Sequence, residues 1–113
     1  MIGGNVTAYL QQQTGEVTIN AIGECIQQYA DVQGIFGFLD LSSGDSKYAY
    51  DAKIQESTHI FICDYVSLDR FADDKRMTVN GCVYDVLLID DPMELHQHLE
   101  IYLKYIGKVM ESE

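Results

Sequence analysis

A chain of 113 residues, nearly half of them apolar, is long enough to bury a core without staples and too apolar to remain disordered. Its formal charge of −11, from seven basic residues against eighteen acidic ones, excludes a patch that grips a nucleic-acid backbone, because such affinity comes from Lys and Arg displacing counterions. An acidic surface remains compatible with a wall that DNA slides past without sticking.

Cys25, Cys63 and Cys82 are odd in number and widely spaced. Met1 to Leu10 has neither a basic n-region nor a continuous apolar stretch, and no apolar run reaches membrane-spanning length. The expectation is a cytosolic chain with reduced thiols and no membrane contact. It reads as one domain over 1–113, with an ordered core at about 5–107, a long loop at 41–53 and a tail at 108–113 that frays.

In chain order, Val6 to Gln12 can form a first strand, after which Thr14-Gly15 and Gly23 act as punctuation. Val17, Ile19 and Ala21 alternate, so VTINA is a possible short second strand. The run from Ile26 to Asp40 carries Gly34 and Gly37 inside apolar sequence. Two such glycines argue against a helix and for a strand at 30–40 that bends or admits a close neighbour.

Leu41 to Lys53 (LSSGDSKYAYDAK) then interrupts the strands with small and polar residues. A connection of this length without structure of its own is a functional or mobile segment, or a wide hairpin link.

Thr58 to Tyr65 reads as a strand apolar on both faces, with Ile60 and Ile62 on one side and Phe61 and Cys63 on the other. Beyond it, Met77-Thr78-Val79 and Cys82-Val83-Tyr84 flank Asn80-Gly81, the strongest short-range hairpin signal in the chain. A two-residue turn there places Val79 opposite Cys82 and Met77 opposite Tyr84. Tyr84, Val86 and Leu88 should continue along one face, with Val83, Leu87 and Ile89 on the other.

Asp91-Pro92 stops that strand, since proline cannot donate to a ladder. Leu95, Leu99, Tyr102 and Ile106 fit a helix, whereas Leu99, Ile101, Leu103 and Tyr105 alternate as a strand does. The reading adopted is a turn or short helical piece at 92–97 and a strand at 98–106. The fold class is therefore mainly β, a small single-domain β-barrel or sandwich with long loops.

The order FGFLDLSSGD, STHIFICDY, a hairpin ending VYDVLLIDDP and a closing LEIYLKYI resembles the small head-closure proteins of long-tailed bacteriophages and prophages, also called stoppers or head-tail joining proteins. The resemblance spans roughly residues 6–106, by pattern and order of elements. It implies a structural virion protein that is not an enzyme and needs no cofactor. Six or twelve copies would form a ring beneath the portal and its adaptor, assembled in the bacterial cytoplasm. The ring would keep packaged double-stranded DNA in the head without binding it tightly, and would dock the tail through the tail-terminator protein. The channel-facing loop would fall on Ser42 to Ala52, with Gly44, Asp45, Lys47, Tyr48 and Tyr50 as its candidate gate residues. The alternatives are another morphogenesis protein (minor capsid, adaptor or tail-completion) or a small β-barrel binding module.

Two further classes compete. His59, Cys63, Cys82, His96 and His98 are ligand types, but there is no CxxC pair and a structural zinc needs about four ligands converging. Asp90 with Asp91, or Asp73 with Asp74, could serve a hydrolase, although neighbouring acids on a strand do not face one another and acid–base work needs environments that split their pKa values.

Overall fold

In the computed structural model, which describes residues 4–41 and 57–108, Asn80 and Gly81 take φ of 51° and 82°. These are the positive values that a type I′ turn requires. The turn joins β4 (Lys75–Val79) to β5 (Cys82–Asp90), with Val79 facing Cys82 and Met77 facing Tyr84 as the sequence predicts.

Four further strands complete the fold: β1 (Val6–Ile19), β2 (Cys25–Leu41), β3 (His59–Asp64) and β6 (His98–Lys108). All neighbours run antiparallel in the order β1-β2-β3-β6-β5-β4, and β1 pairs with β4 to close the barrel. Closure removes sheet edges along the barrel wall. A 3-10 turn at Pro92–Glu94 precedes β6, as expected for 92–97.

Alternation decides what fills the barrel. Ala8 and Leu10, Phe61 and Cys63, Met77 and Val79, and Leu99, Ile101 and Leu103 sit two apart on their strands and are all buried inside. The expectation that β3 is covered on both faces is met in part: Phe61 and Cys63 are buried, whereas Ile60 and Ile62 are half-buried.

Gly37 explains one of the two glycines in β2. A Cβ there would lie 2.5 Å from the Ile62 carbonyl oxygen and 2.9 Å from the Cys63 Cβ, so β2 and β3 close tightly only because that atom is missing.

Three expectations are corrected. First, 6–12 and 17–21 are not separate strands. Residues 6–12 and 17–19 belong to one 14-residue β1, with Asn20 and Ala21 in the turn beyond it, and β1 is paired with a 17-residue β2 that begins at Cys25 rather than at 30. Thr14 and Gly15 form a bulge within β1, where Gly15 takes φ 89° and the Thr14 hydroxyl donates to the Gln28 carbonyl (3.4 Å) and accepts from the Glu16 N–H (3.2 Å).

Second, Leu88 does not continue the inward face of Tyr84 and Val86. The ladder to β6 slips between Val86 and Leu88, which turns Ile89 inward and leaves Leu87 and Leu88 half-buried. Third, the strands reach further than the loop and tail expectations allow, since Leu41 ends β2 and Lys108 ends β6. The rest of the loop at 41–53 and the residues after Lys108 lie outside the described residues.

Candidate functional site

β1 and β2 outrun the barrel. Pairing of β1 with β4 ends at Gln12 opposite Lys75, and pairing of β2 with β3 begins only at Gly37 opposite Cys63. From Gln13 to Ile19, β1 is paired with β2 alone, giving a two-stranded arm roughly 20 Å long at about 3.3 Å per residue.

The arm ends in a turn built by Asn20. Its side-chain carbonyl accepts from the N–H groups of Ile22 (3.0 Å) and Glu24 (2.9 Å), its amide donates to the Glu24 carboxylate (3.0 Å), and Gly23 supplies φ 89°. At the root, Arg76 of β4 donates to the Gln11 side-chain carbonyl at 2.7 Å and lies 4.0 Å from the centre of the Tyr29 ring. Gln11 in turn donates to Asp31 (2.7 Å), and Gln13 to the Tyr29 hydroxyl (3.1 Å). Both ends of the arm are thus shaped by specific contacts.

Between them the arm carries apolar side chains that nothing covers. Val17 and Ile26 are exposed, Ile19 is 70% exposed and Ile22 78%. From Val6 to Leu41 there is no basic residue, and the acids nearest the tip are Glu16 and Glu24.

A cleft of about 760 Å³ separates the arm from the end of the barrel. The arm contributes Thr18, Ile26 and Tyr29, and the barrel contributes Arg76, Val83, Ile106 and Lys108. Among the described residues no carboxylate lines it, in a chain where acids outnumber bases by eighteen to seven. Neither Arg76 nor Lys108 has an ion-pair partner among the described residues. Arg70 and Lys75, by contrast, are engaged. Arg70 makes a bidentate pair with Glu94 (3.2 and 3.1 Å), and the buried Lys75 ammonium donates to Asp69, Asp74 and the Phe71 carbonyl.

The ligand-type residues named from the sequence do not converge. Cys63 is in the core, where burial and the nearby Asp64 push its thiol up to about 11, a value for an inert thiol. His59 packs edge-on against Tyr84 at 5.0 Å, Cys82 is half-buried on β5, and His98 bonds Glu100 at 3.1 Å.

His96 stacks on Tyr65 at 4.5 Å and bonds the carboxylate of the fully buried Asp91. Among the described residues, the only cluster of ligand atoms within 4.8 Å is Asp91, Glu94 and His96. The Arg70 guanidinium already sits against both acids there, 3.9 Å from Asp91. It supplies the positive charge that a metal ion would bring.

The paired carboxylates behave differently from each other. Burial, with Glu100 facing it across the sheet, pushes Asp90 up. Burial also pushes Asp91 up, but hydrogen bonds from His96 and the charge of Arg70 outweigh that and hold it below its ordinary value. Asp90 lines neither this cleft nor the second one, a cleft of about 600 Å³ bounded by Asn5, Phe38, Leu39, Ile62 and Glu100. Asp74 is occupied in holding Lys75.

Gly44, Asp45, Lys47, Tyr48 and Tyr50 lie outside the described residues. Asn80 and Gly81 shape a turn and stand apart from the arm and its cleft. Sequence reasoning missed the arm, the cleft and the Arg70–Asp91–His96 contact. The available signal for the arm was the absence of any basic residue across 6–41 combined with apolar residues in no sustained alternation.

No family model and no curated protein matches the sequence.

Proposed function

We propose that the chain is a structural subunit of the head-to-tail connector of a long-tailed phage or prophage, repeated in a ring beneath the portal and adaptor. The observation that carries this reading is the pairing of a self-sufficient barrel with an apolar arm that the barrel does not cover. Monomeric proteins rarely leave such surface unpartnered, and it marks sites of protein association. The acidic balance suits a wall past which DNA moves, because like charge removes attraction to the phosphate backbone. The sequence resemblance adds the tail-terminator protein as the partner on the far side and gives 42–52 the role of a channel-facing loop.

Native mass spectrometry of a portal, its adaptor and this chain together tests the proposal. The expected result is a complex containing a fixed ring multiple of this chain. A chain that stays free in the mixture defeats the connector reading. The rival reading, a β-barrel binding module, draws on the 600 Å³ cleft beside Phe38 and Leu39, and predicts tight binding of a ligand there with no ring.

A further inference from the structure

The arm tip and the cationic cleft are complementary, and the tip residues Ile19, Ile22 and Glu24 lie outside the cleft's lining. The tip presents Ile19 and Ile22 beside Glu24, on a turn held in shape by five hydrogen bonds through Asn20. The cleft presents Ile106 and Val83 beside Arg76 and Lys108, with no acid among its described residues. A chain's own arm forms one wall of this cleft and leaves about 760 Å³ of it open. Among the described residues nothing occupies that space.

We infer that the occupant is the arm tip of a second copy of this chain. Apolar residues of the tip would cover Ile106 and Ile26, and Glu24, with Glu16 behind it, would face Arg76 and Lys108. Charge decides between occupants. An acidic, apolar, preshaped β-turn matches a cleft whose described lining carries two cations and no acid, and this chain carries such a turn. A duplex would meet the same two cations, but on a chain whose net charge of −11 repels its phosphates.

A tip seated in a neighbour's cleft is a heterologous contact, so each copy offers one free tip and one free cleft. Repetition closes into a ring when the rotation between copies permits. The inference deepens the ring reading and rests on it for its setting. The contact itself can be tested without portal or tail.

Cys25, exposed at the end of the arm, and Lys108 in the cleft allow a direct test. Natural-abundance and ¹⁵N-labelled protein are mixed in equal amounts at high concentration, and a short maleimide–succinimide reagent joins thiol to amine. Cys25–Lys108 peptides should then pair the two isotopes in about half of all cases. Glu24→Lys alone and Arg76→Glu alone should each lower the yield about tenfold or more, and mixing the two variants should restore it, because each then meets an opposite charge.

Cross-linked peptides that all carry a single isotope, with no mixed pairs, show that the arm closes its own cleft, and they overturn the inference. So does a yield that either variant leaves unchanged. A short DNA duplex that binds and suppresses the cross-link in the wild type would assign the cleft to nucleic acid and overturn it as well. Success here with no portal complex would leave the self-contact standing and remove the connector reading.

Discussion

The barrel and the arm are made from the same two strands, yet they obey different rules. Below Gln12, β1 sends Ala8 and Leu10 inward and pairs on both sides, so side chains and backbone groups are satisfied within one chain. Beyond Gln13 the same strand has one partner, and Val17 and Ile19 meet solvent. An isolated two-stranded ribbon is marginal in water, and this one is held by the Asn20 turn and the Arg76–Tyr29 root instead of by a core. The difference teaches that the buried core and the uncovered apolar surface lie on separate stretches of the same strands, so each can be damaged alone.

The sharpest way to break that division is in the barrel. Phe61→Ala empties the largest of the fully buried side chains and should cost about 3 to 5 kcal/mol, read as a lowered midpoint in chemical denaturation. Gly81→Val forces a β-branched residue to φ 82° and should cost about 1 to 3 kcal/mol. An unchanged thermal midpoint in Gly81→Val would mean that the turn does not set the register of β4 and β5.

A subtler effect concerns the acids at the end of β5. Asp91 is held below its ordinary value of 3.8, so its ionised form stabilises the fold at higher pH, and that contribution fades as pH falls from there through the lower folded value. Asp90 is pushed above 3.8 by burial and by Glu100, so its ionised form opposes folding at neutral pH and its protonation relieves the strain. Denaturation curves from neutral pH to below 3.8 should therefore show Asp91→Asn less stable than wild type at neutral pH, with the gap closing in acid. Asp90→Asn should be more stable at neutral pH. Equal, parallel curves for both variants would contradict the two opposite environments.

The smallest expected change is the one that separates the regions. Ile22→Ser at the arm tip should alter stability by no more than about 0.5 kcal/mol, since the side chain touches no core. A larger loss would show that the arm contributes to the barrel after all.

The barrel was legible in the sequence because burial on one side leaves a period of two, as in Phe61 and Cys63 or Leu99, Ile101 and Leu103. The Asn80-Gly81 turn was legible because few residues tolerate positive φ. The arm was not, for the converse reason. With neither face buried, nothing selects alternation, and Thr14-Gly15 reads as a break when it is a bulge inside one strand. The slip at Leu87 was equally hidden, since a bulge shifts which residues face inward without changing composition. Arg70 reaches Asp91 through a fold contact that no local spacing announces.

Cys63 offers one more consequence. The chain contains a sealed thiol in the barrel wall and an open thiol at Cys25 on the arm, each untagged and each reporting through the same reagent. A modifying agent reaches Cys63 only when β2 and β6 part from β3, so its rate counts those openings. The Cys25 rate gives the speed of a site that is open in the free subunit. Their ratio is a clock for how often the barrel breathes in that state.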